Sequence, residues 1–213
     1  ESCQKTVVKK NTIKNAGEEA IWLRQAPESS AYENIITAKC NASAIRISES
    51  EKSKAIGNTI STKGDGIYVY ESASVEVAKN KVTSSQNAIN VNTNSKTASI
   101  HDNTIVFAGE FGIRVYTGST SSKIYKNIIK KYAANKKATE AYAIGIYQSG
   151  GTGKELTKIS ENTVNGTGKL TERHAIRLSE SDYVVIDKNI ANKADGYGIV
   201  ALSSNNVTIS NNQ

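Results

Sequence analysis

The 213-residue sequence has no methionine, one proline (Pro27), two cysteines, two histidines, two phenylalanines and one tryptophan. Two thiols and two scattered histidines are too few for cysteine–histidine metal chemistry. No apolar run approaches the length of a membrane span, and no secretory leader remains. Leucine is sparse and no helical period appears, which excludes a leucine-rich repeat despite a similar repeat length. The lysines are scattered, pairing only at Lys9-Lys10, Lys130-Lys131 and Lys136-Lys137. Nucleic-acid binding asks for denser basic stripes, so it ranks low. Gly150-Gly-Thr-Gly-Lys154 lacks the spacing and the following hydroxyl residue of a phosphate loop. With no methionine and a start at Glu1-Ser-Cys-Gln, the chain reads as trimmed or excised from a longer one. Its end lies just past the bend of a ninth unit, an open coil where a subunit or a neighbouring domain would pack. Cys3 and Cys40 would suit a disulfide in a secreted protein, but they occupy different places in the repeat.

What is present in quantity is a repeat. The pattern I-x-x-N-x-I, a variable piece, then a small residue followed by I-x-V recurs along the sequence. Its Asn falls at Asn11, Asn34, Asn58, Asn80, Asn103, Asn127, Asn162, Asn189 and Asn212, in steps of 23, 24, 22, 23, 24, 35, 27 and 23 residues. A period in the twenties is the mark of a solenoid. The second half of the unit places isoleucine after a small residue at Ile21, Ile45, Ile67, Ile89, Ile113, Ile144, Ile176 and Ile199. Alternation over a few β-branched residues reads as strand. Each unit holds three short strands. One unit cannot bury its own apolar face, but stacked units pair equivalent strands in parallel at ~4.8 Å. The expectation is an all-β, right-handed parallel β-helix of about eight coils, one domain over 1–213. The Asn is expected to sit at a tight bend, to take left-handed backbone geometry there and to bond its counterparts above and below.

These residues resemble the right-handed parallel β-helix superfamily of pectate lyases, pectin-type hydrolases, alginate epimerases and phage tailspikes. The resemblance rests on the I-x-x-N-x-I bend and the G-I-x-V strand, and it covers about residues 6 to 213. It implies the fold and a secreted, cell-surface or periplasmic setting. For function it implies a carbohydrate-active or carbohydrate-binding rod, because the same coil also serves adhesins and spacers. In that superfamily the Ile strand and its flanking loops form the substrate cleft.

The net charge of +7 favours an anionic partner. Outward positions of the Ile strands form two rows. One runs Trp22, Arg46, Tyr68, Asn90, Arg114, Gly145, Arg177, Val200, and the other contains Tyr70, Tyr116 and Tyr147. Arginine forks grip carboxylates and tyrosine faces pack against sugar rings. Arg46, Tyr68, Tyr70, Arg114, Tyr116 and Tyr147 are therefore candidate contacts for an acidic polysaccharide. His174 and Arg177 are the catalytic candidates, a base or acid beside a cation that neutralises a uronate in β-elimination or C5 epimerisation. Glu49 and Glu71 stack in successive coils just past the strand and are the candidate pair for Ca2+, which lyases of the superfamily often use. Clustered aspartates of the hydrolase kind and a D-P-H motif are both absent. The bland readings are an exposed β face, two splayed glutamates and a turn histidine. Extra length at Lys130–Glu140 and Asn165–Arg173 falls at one place in the repeat and is expected on one edge of the rod, beside the working face. His101 is expected to be structural, outward on another face.

Overall fold

The structure, a computed structural model, describes residues 3–39, 41–133, 141–166, 173–194 and 196–213. Cys40, and with it the Cys3–Cys40 pairing, lies outside them, as do 134–140 and 167–172 of the two insertions. The described residues contain strands, turns and bends but no helix. The strands stack into three parallel sheets of nine, eight and eight strands. Every coil contributes one strand to each sheet in turn, so chain neighbours in a sheet come from successive coils. The chain is a parallel β-helix.

The first sheet runs from Val7–Lys9 to Val207–Ser210, the second from Thr12–Lys14 to Ile190–Asn192 and the third from Ile21–Arg24 to Ile199–Leu202. In the third sheet the register aligns Ile21, Ile45, Ile67, Ile89, Ile113, Ile144, Ile176 and Ile199. Ile45 to Ile176 of this column are fully buried. Ile199, in the last coil, is half-buried because only one neighbouring coil covers it. Burying each such side chain stabilises the rod by about 1.5–3 kcal/mol.

Two polar ladders close the coils. In the first, the backbone N–H and side-chain amide of Asn80 both donate to Oδ1 of Asn103, each at 3.0 Å. The same amide donates to the Ala55 carbonyl of the preceding coil at 2.8 Å. This pattern repeats from Asn34 to Asn189. Those side chains are buried, and the bonding offsets the cost of burying an amide. Left-handed geometry, expected at the Asn, belongs instead to the residue before it: Lys10, Glu33, Gly57, Lys79, Asp102, Lys126, Glu161, Lys188 and Asn211 all have φ between 50° and 68°. The Asn side chain must point inward to ladder, so its predecessor takes the turn.

The second ladder is serine. Backbone N–H groups of Ala26, Ser50, Ser72, Ser95, Ser119, Ser149 and Ser181 donate to the hydroxyls of Ser50, Ser72, Ser95, Ser119, Ser149, Ser181 and Ser204. It lies at the bend that ends the third sheet, just after Gln25, Glu49, Glu71, Thr93, Thr117, Gln148, Glu180 and Ser203, which again have positive φ. The start of the longer insertion is core rather than loop, since Tyr132 and Ala133 are buried.

Candidate functional site

The outward face of the third sheet carries the predicted rows in the predicted register. Trp22, Arg46, Tyr68, Asn90, Arg114, Gly145, Arg177 and Val200 are successive partners, and Tyr116 pairs with Tyr147. The two halves of the face differ in their surroundings.

In the N-terminal half Arg46 pairs with an acid of the protein itself. Arg46 lies between the rings of Trp22 (5.1 Å) and Tyr68 (5.5 Å) and forms an ion pair with Glu19 at 3.2 Å. Glu19 thus holds one nitrogen of the guanidinium that the sequence offers to a substrate carboxylate. Tyr68 and Tyr70 stack with centroids 6.2 Å apart. Burial raises the pKa of Tyr68 and outweighs the hydrogen bond from Asn92. Tyr70 is raised chiefly by its hydrogen bond with Glu71.

Beneath the middle of the face lies a buried carboxylate, Asp65. One oxygen accepts from the Asn87 backbone N–H (3.0 Å) and side-chain amide (2.8 Å), and the other accepts from Asn90 at 2.9 Å. Burial raises its pKa, opposed by these donors and by the charge of Arg114.

The C-terminal half forms a cleft enclosing about 550 Å³ of space, part of it open to solvent, lined by Phe111, Arg114, Tyr116, Tyr142, Gly145, Tyr147, Arg177 and Ser179. Gly145 makes the cleft. It stands between Arg114 and Arg177 in the register, and a Cβ there would come within 3.1 Å of the Phe111 ring. The two arginines therefore flank a position with no side chain of its own, over which the Phe111 ring leans, two coil spacings or ~10 Å across. Arg114 is held between Phe111 (5.0 Å) and Tyr116 (4.1 Å), and among the described residues it has no carboxylate within ion-pairing distance. Arg177 lies over the Tyr142 ring at 4.9 Å and donates to the Tyr142 hydroxyl.

His174 belongs to an aromatic column along the edge of this cleft. Phe111, Tyr142, His174 and Tyr197 are spaced at 5.4, 5.4 and 5.2 Å between centroids. The Tyr197 backbone N–H donates to His174 Nδ1 at 2.9 Å. In the neutral ring this places the proton on Nε2. Phe111, Tyr142 and Tyr197 were not among the residues expected from the sequence. Their signal was the position just before the small residue of each repeat, where the N-terminal coils carry Glu19, Ser43, Asp65 and Asn87 instead.

Glu49 and Glu71 are exposed at the bend past the third sheet. Glu49 accepts from Gln25 at 2.8 Å, and Glu71 engages Tyr70. Ca2+ takes six to eight oxygen ligands, and among the described residues no group of three or more His, Cys, Asp or Glu side chains converges. The pair does not fit the ion, and no step is routed through one. His101 sits outward on the first sheet as expected, stacked on Tyr125 at 4.7 Å between Glu76 (3.3 Å) and Asp102 (2.8 Å).

A three-sheet parallel β-helix with an arginine-flanked cleft on one sheet is the class that the fold and face define. Residues 1–164 match the family model described as the right handed beta helix region, and the chain belongs to that family. No curated protein matches the sequence. Among solved structures, the mannuronan C-5 epimerase AlgE4 A-module of Azotobacter vinelandii is similar over 97% of this chain and 55% of its own length, with TM-score 0.68 and 13% identity. The periplasmic alginate epimerase AlgG is similar over 90% of this chain and 61% of its own length, with TM-score 0.52 and 13% identity. This chain thus spans little more than half the length of the first, and at these identities the shared feature is the fold. Among the described residues no helix is long and apolar enough to cross a membrane.

Proposed function

We propose that the chain is a secreted or surface β-helix that binds an acidic polysaccharide along the third sheet, with the Arg114–Gly145–Arg177 cleft as its tightest point. The observation that carries this reading is the cleft itself: two cations flanking a glycine, walled by Phe111, Tyr116 and Tyr142. Guanidinium groups suit uronate carboxylates, and the rings offer flat faces to pyranose rings. The rod places such subsites at a fixed spacing, which suits a linear polymer. The similar solved structures, whose names specify mannuronan and alginate, support a uronic-acid polymer over a neutral one.

The reading extends to chemistry of the lyase or C5-epimerase type. Both begin by removing the proton on the carbon next to the uronate carboxylate. His174, whose Nδ1 accepts from Tyr197 and whose Nε2 carries the proton in the neutral ring, would act as the acid, giving that proton to the leaving oxygen or to C5, while a base from solvent takes the C5 proton and Arg177 stabilises the charge that develops on the carboxylate. In a lyase the glycosidic oxygen then leaves and a double bond remains; in an epimerase a proton returns to the opposite face. A panel of uronic-acid polymers, assayed for binding, for the ultraviolet absorbance of unsaturated product and for exchange of the C5 proton with solvent, tests both levels. Binding without product or exchange makes the protein a glycan-binding module or adhesin, and no binding to any polyanion removes the site.

A further inference from the structure

Among the described residues four lysines pair with an acid of the neighbouring coil. Lys5 pairs with Glu28 (3.8 Å), Lys10 with Glu33 (3.6 Å), Lys54 with Glu76 (2.8 Å) and Lys126 with Glu161 (3.9 Å). On the first sheet Lys123 and Lys158 have no such partner among the described residues, and they face each other. Lys123 and Lys158 are register partners in adjacent coils, so two like charges leave the backbone ~4.8 Å apart. A third, Lys154, joins them from the glycine-rich turn at Ser149–Glu155. Among the described residues none of the three has a carboxylate within ion-pairing distance.

These lysines border a groove of about 880 Å³ including its open mouth, shared with Thr97, Ser99 and Ser121. Glu155 also lines it, leaving a net of two positive charges from three lysines and one glutamate. Ser121 spends its hydroxyl proton on the Glu155 carbonyl (3.0 Å) and Thr97 on that of Lys96 (2.7 Å). Ser99 makes no side-chain hydrogen bond among the described residues and keeps its donor. Among the described residues no aromatic ring lines the groove, which sets it apart from the arginine cleft. Lysine acts as a rotatable point charge and does not select the planar carboxylate as arginine does.

We propose that this groove is a second anion site, on a different sheet from the polysaccharide face, which takes a compact tetrahedral oxyanion: phosphate or sulfate, free or as an ester. A dianion balances the net charge and relieves the repulsion between Lys123 and Lys158, and Ser99 supplies a neutral donor.

The test is a titration of the full chain with inorganic phosphate, followed by backbone amide and lysine side-chain nuclear magnetic resonance. Saturable shifts confined to Ser99, Lys123, Lys154 and Lys158 are expected. The double variant Lys123→Glu/Lys158→Glu should weaken binding at least tenfold, and the milder Lys123→Gln/Lys158→Gln should do so with an unchanged melting temperature. Arg114→Ala should leave phosphate binding intact, which separates this site from the cleft. Sulfate and phenyl phosphate form the second arm: equal affinities mean that the group alone is read, and tighter binding of the ester means that a larger molecule carries it. Linear shifts spread over all surface lysines, wild-type affinity in both double variants, or competition by a uronate oligomer would overturn the proposal.

Discussion

The side-chain amide of Asn90 donates to the Asp65 carboxylate at 2.9 Å, so the one acid beneath the centre of the working face is held by an amide from the coil above it. Burial still dominates and raises the Asp65 pKa. The folded state therefore favours the protonated acid more than the unfolded state does. That contribution to stability is fully present below the ordinary aspartate value of about 3.9 and is lost as pH rises through the raised value. Glu76 works in the opposite sense: Lys54 lowers its pKa, so its contribution disappears as pH falls. Urea unfolding of wild type and Asp65→Asn between pH 3 and 7 separates the two, because only Asp65 differs. Relative to wild type, Asp65→Asn should become more stable as pH rises; a flat difference would remove the buried acid from the account.

The asparagine ladder predicts its own cost. Asn80→Leu leaves the Asn58 backbone N–H and side-chain amide without their acceptor. Equilibrium unfolding should show a loss of about 1–3 kcal/mol or more. Stability equal to wild type would mean that the ladder decorates the core and does not hold it.

The serine ladder can be tested one rung at a time. Ser72→Ala removes the acceptor of the Ser50 N–H in a fully buried bend. The expected loss is again about 1–3 kcal/mol, the desolvation penalty of one unmet donor. Ser72→Thr retains the oxygen and should recover part of it. Amide exchange at Ser50 reports the rung directly.

For the cleft, Arg114→Ala should weaken polyuronate binding and flatten its salt dependence, since a Coulombic contact is screened over ~10 Å at 0.1 M salt. Gly145→Leu should do the same without touching a charge, by filling the gap against Phe111. Lys9→Ala, in a distant coil, should change nothing. Wild-type affinity in both Arg114→Ala and Gly145→Leu would place the polymer elsewhere.

His174→Ala divides binding from chemistry. If proton transfer at C5 occurs, the variant should retain affinity for the polymer and lose turnover, lowering kcat with little change in KM. A parallel loss of both would assign His174 to the wall of the cleft, as its stacking on Tyr142 also allows.

The fold was readable because a stack of coils repeats its inward residues, and inward residues obey few alternatives. The isoleucine column and the asparagine steps are both inward. The left-handed residue before each Asn was hidden, because its side chain points out and only its backbone is constrained: Lys, Glu, Gly, Asp and Asn all serve. The serine ladder was hidden by a wobble of one residue, since one left-handed residue precedes Ser50 but two precede Ser95 and Ser119. In the cleft, alternation along the strand found Arg114, Tyr116, Tyr147 and Arg177. Phe111 and Tyr142 stand before the strand begins, outside that alternation. The ion pair of Arg46 with Glu19 was not legible because the two lie 27 residues apart, in successive coils.

The direction of the bonds has a mechanical consequence. Sheet pairing, asparagine rungs and serine rungs all run along the rod axis, from one coil to the next. A pull along that axis on the C-terminal coil loads only the bonds of the outermost coil, which part in sequence like a zip. The rod should therefore lengthen in steps, each releasing one repeat of about 23 residues, or ~80 Å of extended chain. A pull across the axis meets many coils at once and should be resisted at much higher force.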